Sequence, residues 1–316
     1  MIKTLKKTNN LTPQQPTIGV IGLGIMGGAM ARELIKGGWS VVGFDIDQAA
    51  CQHLKKSGGR VLASATQLAV EADILIVSLS TSAALEMTVK QIALAKRPAH
   101  ASSQILLETS TLPLADKHAA YQTLKKAGVS VLDCPISGTA ERLKQRAWTV
   151  FCSGSKSAYQ KVLPILKVFT DNTPHVGTFG NGTKMKFAAN HLVAIYNVAC
   201  AESVTLARKM GLDPQQVLDL FGSSPVIGTG VMRLRMPFMI ARQYLPATMK
   251  VAVWQKDMQV IGDMAKSVDC PTPLLSACVP IYSAAMAQGL ALHDTASVSE
   301  VLAAMAGLPA AIDLQG

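Results

Sequence analysis

From Thr17 onward the chain alternates short apolar runs with segments whose apolar residues recur at helical spacing, the pattern of successive parallel βα units. The runs TIGVIG (17–22), SVVGFD (40–45), ILIVSL (74–79), QILLET (104–109), VSVLD (129–133) and WTVFCSG (148–154) predict strands, with a last short one near His175–Val176. Amphipathic stretches at 25–36, 64–71, 82–95, 114–127 and 156–169 predict the helices between them. Strands that are apolar at nearly every position belong to a sheet covered on both faces. After Gly182 the pattern changes: no strand follows, and helical periodicity recurs at 183–210, 214–221, 248–267, 274–288 and 297–305. Asp213-Pro214 and Ser224-Pro225 punctuate helix boundaries there.

These patterns predict a Rossmann-like α/β domain over 17–180 and an all-α domain over 181–316, entered through one long interdomain helix. Residues 1–16, which carry Lys3, Lys6 and Lys7 and no acid, read as a disordered tail. That stretch has no apolar core and no Arg, so neither a secretory signal nor a transit peptide is expected, and a cytoplasmic location is.

Composition sharpens this only in places. A chain of 316 residues with 49% hydrophobic and 16% charged residues can bury a sizeable core and is not a disordered one. The net charge of +10 raises the question of a polyanionic partner. Its distribution is +3 in residues 1–16, +6 in 17–180 and +1 in 181–316, with no dense basic block and only 5% aromatics. Small anionic ligands are therefore expected rather than nucleic acid. Every apolar stretch is interrupted well before the roughly 18 positions a membrane span needs, so no span is expected. The six cysteines form no CxxC pair and read as reduced thiols, and no HExxH or His/Asp cluster suggests a metal.

The chemistry-bearing residues begin at Gly22-Leu23-Gly24-Ile25-Met26-Gly27, a Gly-x-Gly-x-x-Gly string between the first strand and the first helix. In that context the glycines allow a tight turn, close approach of a pyrophosphate and helix–strand packing, while the helix N-terminus offers free N–H groups. Asp45 ends the second strand, where a carboxylate accepts the ribose hydroxyls of an adenosine and repels a 2′-phosphate. No Arg follows it, so NAD is expected over NADP. At the domain junction, Lys186 and Asn190 are four residues apart and share one helical face. Asn190 can orient a substrate hydroxyl while Lys186 exchanges its proton. Burial beside a cationic nicotinamide, with Lys184 nearby, is expected to bring the lysine toward neutrality.

Four segments in this order resemble the β-hydroxyacid dehydrogenase family, which includes 3-hydroxyisobutyrate dehydrogenases, tartronate semialdehyde reductases and L-threonate dehydrogenases. GLGIMGGAMARELIKGG (22–38) is similar to its cofactor motif and DCPISGT (133–139) to its substrate loop. GNGTKMKFAANHL (180–192) resembles its catalytic segment, and Lys256-Asp257 its Lys-Asp cofactor motif. The resemblance implies Lys186 as catalytic lysine, Asn190 as its substrate-binding partner, and Ser137, Gly138 and Thr139 as holders of the substrate carboxylate. It implies Leu79, Ser80, Thr111 and Lys256 beside the cofactor, with Asp257 orienting its neighbours. The implied reaction is reversible oxidation of a hydroxyl carbon β to a carboxylate, on a small hydroxy acid or the matching semialdehyde. One run departs from the family: Thr139 to Trp148 carries Glu141, Arg142, Lys144 and Arg146 where small residues are usual. A solvated turn is the simpler reading, and a contact from Arg142 or Arg146 to a second anionic group the other.

An imine reductase on the same plan and a non-catalytic nucleotide-binding module are the alternatives; Lys186 with Asn190 weighs against both. The apolar 183–210 helix and the Met- and Ala-rich stretches near 274–305 predict a homodimer or homotetramer.

Overall fold

The computed structural model describes residues 15–99, 101–143 and 145–309, apart from the side chain of Glu141. Lys3, Lys6, Lys7, Lys144 and nearly all of the expected tail lie outside the described residues. The chain divides into two compact units: one runs up to Ser110 and adds Ala115–Cys134 and Cys152–Gly180. The other takes Thr111–Leu114, Pro135–Phe151 and everything from Asn181 on. Two short segments that precede residue 181 thus cluster with the helical unit.

The first unit is built from β1 (Ile18–Ile21), α1 (Ile25–Lys36), β2 (Val41–Phe44), α2 (Gln48–Lys56), β3 (Arg60–Val61), α3 (Ala65–Glu71), β4 (Ile74–Val77), α4 (Ser82–Ala93), β5 (Ile105–Glu108), α5 (Leu114–Lys126) and β6 (Ser130–Asp133). Every residue of β1, β4 and β5 is buried, as their unbroken apolar sequences require. The chain then forms β7 (Ile136–Ser137), α6 (Ala140–Leu143), β8 (Thr149–Val150), β9 (Ser153–Gly154) and α7 (Lys156–Phe169). The sheet order is β3-β2-β1-β4-β5-β6-β9, parallel except for the antiparallel β6–β9 pair. This is the doubly wound order, and its direction reverses between β1 and β4, the crevice where such sheets bind ligands. Side chains cap several helices: Asp47 accepts from Ala49 N, Ser64 from Gln67 N and Thr81 from Ala84 N.

The run at 148–154, predicted as one strand, is two. β8 pairs with β7 in a separate hairpin, and β9 joins the edge of the main sheet. The unpredicted α2 and β3 fill the connection between β2 and α3.

The second unit is organised on α8 (Asn181–Lys209), 29 residues or about 43 Å at 1.5 Å per residue. Around it pack α9 (Pro214–Gly222), α10 (Gly230–Ala241), α11 (Val251–Ser267), α12 (Pro273–Ala287) and α13 (Val298–Met305). Their shared core contains Phe187, Val198, Val204, Trp254, Met258 and Tyr282. Several of the polar groups inside it are hydrogen-bonded to one another. Arg235 Nη1 lies 2.6 Å from Asp294 Oδ1, whose other oxygen accepts from Thr248 and Met249. Asn197, buried on α8, donates to Tyr282 Oη and Thr295 O, both at 2.9 Å. The helix α10 went unanticipated because Pro237 interrupts its pattern.

Candidate active site

In the sheet unit, Gly22 leaves β1 at φ +86°, and a Cβ there would stand 2.2 Å from Ser78 O. A Cβ on Gly27 would meet Gly22 O at 1.8 Å, so only glycine lets α1 start this close to the strand. Gly24 differs: it is the N-cap of α1, no side chain caps the helix, and a Cβ there would meet nothing within 4 Å. An uncapped N-terminus facing open space is a ready cradle for a diphosphate. Leu23 is buried, Ile25 exposed and Met26 half-buried, so the turn offers backbone rather than apolar bulk at its mouth.

Asp45, half-buried just after β2, ties this turn down. Its Oδ2 accepts from Leu23 N at 2.5 Å and its Oδ1 from Asp47 N at 2.9 Å. A carboxylate has about four lone-pair sites, so roughly two remain for a ligand's hydroxyls. The groups present therefore fit a nicotinamide dinucleotide. After β4, Leu79 N donates to Ser110 Oγ at 2.9 Å, and Ser80 beside it is exposed.

Beneath Ser110 lies a network that sequence reasoning missed. Lys117 on α5, fully buried, stands 2.6 Å from both Glu108 Oε2 and Asp133 Oδ1 and donates to Ser110 O at 3.0 Å. Burial alone would pull this lysine down, but the two carboxylates outweigh it and hold it above its ordinary value. The signal was available: Glu108 and Asp133 end adjacent parallel strands in register. Two such acids side by side call for a cation.

In the helical unit, Lys186 and Asn190 lie on one face of α8, both buried. Asp257 on α11 is also buried; its Oδ2 accepts from Asn190 Nδ2 at 3.0 Å, and its Oδ1 lies 3.3 Å from Lys256 Nζ. Lys256 donates onward to Thr111 O at 2.6 Å. Lys186, Asn190, Asp257, Lys256 and Thr111 thus form one electrostatic cluster. Burial pulls Lys186 down, Asp257 pulls it back up, and Lys256 lowers it again, leaving it at about 8. Burial pushes Asp257 up against the opposing pull of Lys256, Lys186 and Asn190.

The β7–β8 hairpin, in the same unit, packs beside α8. It supplies Ser137 and then Gly138 at φ +144°, with Trp148 beneath it so close that a Cβ would clash at 2.3 Å. Trp148 Nε1 donates to Thr139 O at 2.6 Å, fixing the loop backbone. Thr139 Oγ1 is buried with no partner among the described residues, a hydroxyl left for something else to engage. The charged run beyond it forms the short α6, closed by Arg146 N to Leu143 O and Ala147 N to Arg142 O. This is a Schellman end with the exposed Arg146, φ +54°, at the left-handed position that glycine usually takes. Among the described residues no group of three His, Cys, Asp or Glu could hold a metal, and no helix is long and apolar enough to cross a membrane.

Residues 17–177 match the model of the NAD binding domain of 6-phosphogluconate dehydrogenase, and residues 180–302 that of the NAD-binding region of NADP-dependent 3-hydroxyisobutyrate dehydrogenase. The chain is 28% identical to glyoxylate/succinic semialdehyde reductase 2, chloroplastic, of Arabidopsis thaliana, covering 91% of this chain and 80% of that one. It is 27% identical to L-threonate dehydrogenase of Cupriavidus necator, covering 90% and 95% respectively. The structure of 3-hydroxyisobutyrate dehydrogenase of Mycobacterium tuberculosis with L-serine superposes with a TM-score of 0.81 at 25% identity, over 91% of this chain and 99% of that one. With a glycine turn at the switch-point crevice, a buried lysine on the long helix and both halves of the chain matched, the protein belongs to the β-hydroxyacid dehydrogenase family of oxidoreductases.

Proposed function

We propose that the protein is an NAD-dependent dehydrogenase of small 3-hydroxy acids, or reduces the matching semialdehydes, with Lys186 as general acid and base. The observation that carries this reading is Lys186 itself: a buried lysine held at about 8, one helical turn from Asn190. At that value both amine and ammonium are populated near neutral pH, as a group that takes a proton in one direction and returns it in the other requires.

In oxidation, the neutral Lys186 amine takes the proton of the substrate hydroxyl. Asn190 gives one Nδ2 hydrogen to Asp257, which leaves its other Nδ2 hydrogen to donate to the oxygen of that hydroxyl and aim it. Ser137, Gly138 and Thr139 hold the carboxylate, for which the unpartnered Thr139 Oγ1 is the best single support. Bound nicotinamide supplies the hydride acceptor in this direction and the donor in the other. The turn from Gly22 to Gly27 and the start of α1 hold its diphosphate, Asp45 the adenosine ribose, and Leu79, Ser80, Thr111 and Lys256 the nicotinamide half. NAD is preferred because Asp45 would face a 2′-phosphate with like charge, and Ile46 and Asp47 follow it where a basic residue is absent. The relatives named above act on short carboxylic semialdehydes and hydroxy acids, and L-serine carries its hydroxyl on the carbon β to its carboxylate. A homodimer or homotetramer completes the proposal: Leu192, Tyr196 and Leu206 on α8, with Met210 just past its end, leave a row of apolar side chains exposed.

The test is a titration with NAD and NADP followed by a screen of small 3-hydroxy acids and semialdehydes at 340 nm. Tighter NAD binding and turnover of such an acid are expected. Equal affinity for both dinucleotides would refute the preference, and a monomeric mass by light scattering the assembly.

A further inference from the structure

Cys134 and Cys152 stand at the two places where the segment Pro135–Phe151 leaves the sheet unit and returns to it. β6 and β9 pair Leu132 with Gly154 and Asp133 with Ser153. One further step in that antiparallel register sets Cys134 directly opposite Cys152. Neither cysteine spends its N–H on the other: Cys134 N donates to Glu108 O at 2.8 Å and Cys152 N to Pro174 O at 3.0 Å. The pair is therefore of the non-hydrogen-bonded kind, in which opposed Cα atoms are about 4.5 Å apart and side chains lie closest. That spacing falls inside the roughly 4.4–6.8 Å a disulfide spans. The two sulfurs are already 3.3 Å apart.

We propose that Cys134 and Cys152 are a redox-active dithiol, converted to a disulfide by hydrogen peroxide and restored by a thiol reductant. One sulfur attacks the peroxide: an S–O bond forms, the O–O bond breaks, and water leaves. The second sulfur then attacks that sulfenic sulfur: the S–S bond forms, the S–O bond breaks, and a second water leaves. The two thiols together lose two electrons and two protons, and the peroxide gains them. The product ties together both ends of the segment that carries Ser137, Gly138 and Thr139. Both sulfurs are fully buried. Burial first, and then the neighbouring Cys152 thiol, push Cys134 well above the ordinary thiol range. Oxidation is therefore slow and favours a small oxidant, while the bond once made is shielded from bulky reductants. This site is independent of the proposed reaction.

Cys270 is exposed and would react first, so the test uses the full chain with Cys270→Ser. The protein is treated with hydrogen peroxide, unfolded, alkylated and digested without reductant. The peptide bearing Cys134 is expected joined to the one bearing Cys152, two hydrogens lighter than the sum. Free thiols should fall from five to three and return to five with dithiothreitol. Adding Cys152→Ala should abolish the link; the mapping on the parent stands even if that variant folds poorly. Five thiols surviving peroxide, irreversible sulfinic acid at either position, or a link to Cys51, Cys200 or Cys278 would overturn the proposal.

Discussion

Lys117 in the sheet unit and Lys186 in the helical unit are both helical lysines, both buried, and differ in what surrounds them. Lys117 has two carboxylates at 2.6 Å and a carbonyl oxygen at 3.0 Å, so it stays charged and is held above its ordinary value. Lys186 shares its surroundings with one carboxylate, Asp257, which is itself engaged by Lys256 and Asn190. Burial wins there, and the lysine falls to about 8. A buried lysine with surplus negative charge around it stays charged; one with a deficit can change its charge near neutral pH. The difference lies in the partners rather than in the depth of burial.

Four substitutions would break or sharpen this contrast. The largest effect is expected for Lys186→Met, which should lose about 10²–10⁴-fold in kcat/KM while folding and dinucleotide affinity persist. Near-normal turnover, by absorbance of the reduced nicotinamide, would end the assignment. Lys117→Met should instead cost stability, about 3–5 kcal/mol in urea unfolding, because two buried carboxylates lose their cation. A change under about 1 kcal/mol would show that the network adds little to stability. The smallest effects concern tuning. Asp257→Asn removes the charge that holds Lys186 up, so the inflection in the pH–rate profile should move to lower pH. Lys256→Met removes a repelling cation and should move it to higher pH, more weakly because Lys256 is partly exposed. Shifts of the opposite sign in either variant would contradict the electrostatic account.

The framework of this fold was legible from periodicity: the strands of the parallel sheet other than the two-residue β3, and the helical second half, follow from apolar spacing. The run at 148–154 was not, because alternation along a sequence cannot reveal that β8 and β9 pair with different partners. Nor was α10, where Pro237 masks a helix held by tertiary packing on α8. At the candidate site, the glycine turn, Asp45, Lys186 and Asn190 stood out because local spacing defines them. Residues defined only by distant partners stayed hidden. Lys117 reads as one more surface lysine until Glu108 and Asp133 are seen beside it, and Trp148 as a core residue until it is found under Gly138. Cys134 and Cys152 carry no spacing motif at all; only strand register makes them neighbours.

The most direct measurement is the pH dependence of kcat/KM in both directions of the reaction. Oxidation needs the amine form of Lys186, so its rate should rise with pH and level off above about 8. Reduction needs the ammonium form, so its rate should be level at low pH and fall through the same value. Two limbs of opposite slope sharing one inflection near 8 are the predicted result. Profiles that are flat across this range, or that slope the same way in both directions, would contradict Lys186 as the proton carrier.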